Sequence, residues 1–183
     1  MRLIRSLVVA VAFLSFAGAA SAHEVGPQPG AHLPVALSAP DSSGAVKSFD
    51  DLKGENGLVL MFVRSADWCP FCQGQLVEME RQRPQFELRG YKLAAITTDE
   101  PAELARFASR RDIGYPLLAD PDFRLVQAFG LTDPAIRGRH AGVPIPTVYV
   151  ISPDGVIRAQ LGDLSFRVRP APTEVLEAID NLH

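Results

Sequence analysis

Cys69 and Cys72 are the only thiols of the chain, three residues apart in Ala66-Asp67-Trp68-Cys69-Pro70-Phe71-Cys72. Two thiols at this spacing on the first turn of a helix can close into a small disulfide ring and reopen. The reacting species is the thiolate, and a free cysteine is mostly protonated at neutral pH. A helix N-terminus favours the anion through its unpaired N–H groups and the positive end of its dipole. Cys69, at that end, is the expected attacking thiol. Cys72, one turn behind, is placed to resolve the mixed disulfide. Pro70 stiffens the turn, and Trp68 and Phe71 give an apolar rim for a partner polypeptide. A purely structural bridge is the competing reading, but cross-linking so short a loop stabilises a domain little.

A strand and a helix must hold the pair. The run Leu58-Val59-Leu60-Met61-Phe62-Val63 has no polar alternation, which predicts a central strand covered on both faces. From Pro70 a helix is expected toward Arg83, with Phe71, Leu76, Met79 and Val77 inward. Pro84 is expected to kink or interrupt it, Phe86 and Leu88 to continue the apolar side, and Gly90 to end it. Upstream, residues 33–37 and 46–49 read as short strands and residues 49–54 as a helical turn. Downstream come a strand over 91–97, a helix opened by Asp99-Glu100-Pro101, a short strand over 115–119 and a helix begun by Asp120-Pro121-Asp122. A loop over 131–143 holds Arg137, Arg139 and His140. Strands over 146–151 and 156–161 form a hairpin around Pro153-Asp154-Gly155, and Thr173 is the expected cap of a last helix. Alternating strands and helices followed by a hairpin imply one α/β domain with a mixed sheet between helices.

Pro144-Ile145-Pro146-Thr147 precedes the first hairpin strand, and a proline there is a candidate for a cis bond. The competing reading is two ordinary loop prolines.

The 183-residue chain begins with basic Met1-Arg2-Leu3-Ile4-Arg5, an apolar stretch and the small-residue motif Ala20-Ser21-Ala22. This predicts a signal peptide over 1–22, cleaved before His23, and export, with a bacterial periplasm as the compartment. An uncleaved signal anchor is the lesser reading. A loose Pro- and Gly-rich arm is expected over 23–32 and one redox domain over 33–183. The net charge of −3, without basic clusters, argues against a nucleic-acid partner, and nothing after the signal is long and apolar enough to span a membrane.

Trp68-Cys69-Pro70-Phe71-Cys72 after a central strand, with Ile145-Pro146-Thr147 before a later one, resembles the thioredoxin-like superfamily. The segment over 33–49 and the extra strand and helix after the first long helix resemble its peroxiredoxin branch, the alkyl hydroperoxide reductase/thiol-specific antioxidant family. The resemblance implies a thioredoxin-like fold with an N-terminal β extension. It also implies a cis Pro146 facing the dithiol, with Ile145 offering backbone hydrogen bonds to a bound peptide. The two relatives order the sulfurs differently. Against the peroxiredoxin pattern Cys72 takes the peroxidatic place and Cys69 that of a threonine, while the peroxide-orienting arginine has only Arg64 and Arg139 as candidates. The thioredoxin pattern's buried acid has no counterpart in the apolar strand, and Asp67 reads as solvated.

Three functions follow from the residues together with what the resemblance implies. The first is an exported thiol–disulfide oxidoreductase acting on protein or small thiol partners through Cys69 and Cys72, with no cofactor beyond that disulfide. The second is a thiol-dependent peroxidase acting on peroxide with Cys72 first. The third is a non-enzymatic copper-binding chaperone of thioredoxin-like fold using Cys69, Cys72 and His140, although copper-chaperone relatives usually space their cysteines C-x-x-x-C, and the histidines have no zinc-finger spacing.

Overall fold

The computed structural model describes residues 25–162, 165 and 167–182. The expected signal peptide lies outside the described residues. In chain order the elements are β1 (Ser38–Pro40), β2 (Val46–Ser48), α1 (Phe49–Leu52), β3 (Gly57–Phe62), α2 (Pro70–Leu88), β4 (Tyr91–Thr97) and α3 (Pro101–Arg111). Then follow β5 (Leu117–Ala119), α4 (Arg124–Ala128), a 3₁₀ turn (Gly138–His140), β6 (Thr147–Ile151), β7 (Ile157–Gly162) and α5 (Pro172–Asp180).

β3 is buried at every position, as its unbroken apolar run requires. It starts at Gly57 because φ is +134° there and a Cβ would stand 2.0 Å from the Ile151 carbonyl oxygen. The main sheet runs β5-β4-β3-β6-β7, with β3, β4 and β5 parallel, β6 antiparallel to β3 and β7 antiparallel to β6. On one face Leu76, Met79 and Phe86 of α2, Leu104 and Phe107 of α3, and Val175 and Ile179 of α5 pack on Val59 and Met61. On the other, Leu52 of α1 and Leu125 and Val126 of α4 pack with Leu37, Ala39 and Phe129 on Leu58, Leu60 and Phe62. The mixed α/β sheet between helices is thus the expected architecture, and the antiparallel β1–β2 hairpin is its N-terminal β extension.

Several local expectations are corrected. The first strand is residues 38–40 instead of 33–37, because the segment around Pro34 bends and spends the Leu33 N–H on the Gly155 carbonyl. Pro84 does not interrupt α2. Arg83 bonds Glu80 on the turn before it (2.9 Å) and Glu87 on the turn after (2.6 Å), and the buried Phe86 anchors the last turn. Phe71 and Leu88, expected inward, are exposed, while Cys72 and Gln75 take buried places on α2. Thr173 lies inside α5, whose entry is made by Pro172 and by Glu174 accepting from the Ala171 N–H at 2.7 Å. The helix expected from Asp120 begins only at Arg124, with Phe123 before it in the left-handed region, but the Asp120 carboxylate still accepts from the first-turn N–H groups of Leu125 and Val126.

The register sets Phe62 opposite both Ile96 and Thr147. The exits of β3 and β4 and the entry of β6 therefore share one end of the sheet, where open α/β sheets keep their sites.

Candidate active site

The segment between β3 and α2 is held from β4. The Val63 N–H donates to the Ile96 carbonyl (3.0 Å) and the Thr98 hydroxyl to that of Arg64 (2.8 Å). Asp99, just past β4 and buried, accepts from the Ser65 hydroxyl and the Ala66 N–H, both at 2.6 Å. Ser65 Oγ in turn accepts from the N–H groups of Asp67 (2.9 Å) and Trp68 (3.1 Å). Burial raises the Asp99 carboxyl above its ordinary range, and these hydrogen bonds offset that rise only in part. Asp99→Ala leaves a buried N–H and hydroxyl unpaired. It is expected to cost about 1–3 kcal/mol in denaturant unfolding and to slow the reaction of the dithiol while both cysteines remain.

Cys69 is the N-cap of α2 and is joined to Cys72 by a disulfide, with Cα atoms 5.3 Å apart. Its Sγ accepts from the Cys72 N–H at 3.3 Å. Pro70, exposed, fills the first helical position, where no N–H is missed. Cys72 is fully buried and Cys69 retains 4% exposure, so only Cys69 shows any surface to solvent. Phe71 is half exposed beside them. Trp68 is 37% exposed and stacks on His140 at 3.9 Å between ring centroids.

The charged residue at the sulfurs is Arg169, which the sequence reading missed. Its Nη2 lies 3.4 Å from Cys72 Sγ and 4.0 Å from Cys69 Sγ. Burial, and the charge of Arg64 nearby, push its guanidinium down to about 10, so it remains a cation at neutral pH. Arg64, one of the two candidate arginines, stands behind it with Nη2 2.6 Å from Asp133 Oδ2 in a buried ion pair. Arg139 instead donates to His140 Nε2 at 2.9 Å on the surface.

Pro146 and Ile145 need correction. Both are buried at the site end of the sheet, but no cis peptide occurs among the described residues, so Pro146 is trans. Trans is the default for such a bond by about 0.5–1 kcal/mol. The Ile145 N–H donates to the Leu131 carbonyl at 2.7 Å and its carbonyl accepts from the Thr147 hydroxyl, so this backbone is already engaged internally. His140 meets an indole rather than the sulfurs, and among the described residues no three His, Cys, Asp or Glu side chains cluster as a metal site. Among the described residues, no helix is long and apolar enough to cross a membrane. Asp99 could have been found from its place after a parallel strand at the site end. Arg169 lies in a stretch without periodicity and left no such signal.

Comparison with known proteins places this geometry among relatives. The chain is 29% identical over 139 residues to the 1-Cys peroxiredoxin PER1 of Hordeum vulgare, covering 69% of this chain and 61% of that protein. It is 24% identical over 167 residues to a 1-Cys peroxiredoxin of Onchocerca volvulus, covering 80% and 69%. The chain spans less than two thirds of the length of the first curated relatives, those from Hordeum vulgare, Bromus secalinus and Triticum aestivum. Its fold is similar to peroxidoxin BcpB of Mycobacterium tuberculosis (TM-score 0.70, 22% identity, 85% of this chain and 96% of that one). It is similar also to a cysteine-to-serine mutant of peroxiredoxin 6 of Arenicola marina (TM-score 0.76, 23% identity, 86% and 74%). The pattern of the AhpC/TSA family matches residues 29–160, from the approach to β1 to within β7, and the chain belongs to that family.

Proposed function

We propose that the chain is a thiol-dependent peroxidase in which Cys72 reacts first and Cys69 resolves. The observation that carries this is the position of Arg169, whose guanidinium lies closer to Cys72 Sγ than to Cys69 Sγ. A cation at that distance favours the thiolate of Cys72, the cysteine in the peroxidatic place of the family pattern. The order of the first two readings is therefore reversed from what the residues alone suggest.

The steps are these. The Cys72 thiolate attacks one peroxide oxygen, the S–O bond forms as the O–O bond breaks, and the departing alkoxide or hydroxide takes a proton. Cys69 then attacks the sulfur of the Cys72 sulfenic acid, forming the disulfide and releasing water. Two equivalents of an external thiol regenerate the dithiol, entering at Cys69, the residue of the pair that keeps any exposed surface. Small peroxides suit a buried Cys72.

A specific observation favours thiol–disulfide exchange as the second reading. Cys69 is the helix N-cap and its Sγ accepts an N–H, the setting of an attacking thiolate. Titrating the reduced protein with hydrogen peroxide tests the choice. One peroxide is expected to consume both thiols and yield the Cys69–Cys72 disulfide in a peptide map, far faster than free cysteine reacts. A rate no greater than that of free cysteine overturns the peroxidase reading.

A further inference from the structure

Among the described residues five large apolar side chains are exposed: Val46, Trp68, Phe71, Leu88 and Val168. Val46 belongs to the N-terminal hairpin, and Leu88 ends α2, about 27 Å along the helix axis from Pro70. The other three gather at the sulfurs. Trp68 precedes Cys69, Phe71 lies between the cysteines, and Val168 precedes Arg169, whose Nη2 reaches both Sγ atoms. Single exposed apolar residues are ordinary, but a group of them rimmed by polar residues marks an interaction surface. The rim here is basic. Arg137 and Arg139 are exposed on the loop that carries His140 to Trp68, and Arg167 is exposed beside Val168. Arg137 donates to the Pro134 carbonyl and Arg139 to His140, and among the described residues no carboxylate forms an ion pair with either. Exposed acids border the group as well: Asp67, Glu78 and Glu174, the last already committed to the Ala171 N–H. The local excess of positive charge is therefore small, although it stands on a chain of net charge −3.

We propose that this face docks on an anionic lipid surface, with Trp68, Phe71 and Val168 entering the headgroup layer and Arg137, Arg139 and Arg167 meeting lipid phosphates. The residue types suit that layer. An indole is amphipathic and settles at the membrane–water boundary. An arginine lays its stem along apolar surface while its fork takes a phosphate. Trp68 is already stacked on His140 with the ring planes 29° apart, so ordering it on docking costs little. A stable protein interface needs a contiguous, closely packed apolar core. Here the apolar side chains are few and interleaved with arginines, an arrangement that a fluid surface accepts. The apolar stretch over 6–20, read above as an export signal, takes the chain to a membrane and puts this face within reach of one. Docking in this way turns the Cys69–Cys72 pair toward the lipid, whichever sulfur reacts first.

Trp68 is the only tryptophan of the chain, so its emission reports docking directly. The full chain in its disulfide form is mixed with vesicles of equal parts phosphatidylglycerol and phosphatidylcholine, and separately with vesicles of phosphatidylcholine alone. The anionic vesicles are expected to move the emission to shorter wavelength and to shield it from acrylamide, and added salt to reverse both. The neutral vesicles are expected to bind about tenfold more weakly. Arg137→Glu/Arg139→Glu is expected to weaken binding to the anionic vesicles by about tenfold or more, and Phe71→Ser by about tenfold. Leu88→Ser, which removes an exposed apolar side chain at the far end of α2, is expected to leave binding unchanged. Tethering through residues 6–20 alone does not bury Trp68, so the emission separates it from docking. Melting temperatures check that each variant folds, and where one does not, the wild-type emission with and without salt decides. An emission that the anionic vesicles leave unmoved overturns the proposal and gives the face to a polypeptide partner. So does an equal response to neutral vesicles, a double arginine variant that binds like the wild type, or a loss in Leu88→Ser as large as that in Phe71→Ser.

Discussion

Cys72→Ser is expected to lower peroxide consumption by at least about a thousandfold, the scale on which a nucleophile acting within a unit is lost. A serine hydroxyl stays protonated at neutral pH, and neither Arg169 nor the first helical turn brings it within reach of ionisation. Cys69→Ser has a different expected result. A serine at the N-cap of α2 can still accept the Cys72 N–H, so the helix keeps its start. The variant then makes one rapid turnover and stops, because the Cys72 sulfenic acid has no thiol to condense with. Trapping with dimedone and mass spectrometry locates the product on Cys72, and excess peroxide carries the untrapped variant on to the sulfinic acid. The reverse pattern, with rapid chemistry surviving in Cys72→Ser, makes Cys69 the first nucleophile and exchange the principal activity.

The second large effect concerns stability. Asp133→Ala takes the carboxylate from a buried guanidinium, and breaking such a pair from one side costs about 3–5 kcal/mol. For a chain of this size that amounts to a melting temperature lower by about 10 °C. Two further bonds go with it or loosen: Asp133 Oδ1 accepts from the Ala135 N–H at 2.9 Å, and the Asp133 N–H donates to the Val143 carbonyl at 2.9 Å. Both close the loop that carries His140 to its stack on Trp68. The double variant Arg64→Met/Asp133→Leu is expected to regain much of the loss, since neither charge is then desolvated. A single-variant loss below about 1 kcal/mol marks the pair as behaving like a solvated one.

What the sequence disclosed was local. The uninterrupted apolar run of β3, the proline at the first position of α2 and the Asp120 carboxylate ahead of α4 each leave a periodic or capping signature within a few residues. The element order followed from these. The site was legible only where it is also local, at Cys69 and Cys72. Its electrostatics depend on pairs far apart in the chain. Arg169 meets Cys72 from 97 residues away, Arg64 meets Asp133 across 69, and Asp99 meets Ser65 across 34. No pattern in a window of a dozen residues records such meetings. The trans Pro146 teaches the same lesson from another side, because the motif implied a conformation by resemblance and no local residue pattern reported the trans bond found here.

The course of residues 25–41 has a consequence of its own. Gly30 donates to the Ile157 carbonyl, Ile157 donates back to Ala31, and His32 bridges to Val156, so this segment occupies the outer side of β7 where that strand begins. Farther on, Asp41 bridges to Leu118 of β5, at the opposite margin of the sheet. One stretch of chain thus blunts both margins, where an unpaired strand otherwise recruits a foreign one. A foreign strand meeting these places has little free backbone to pair with.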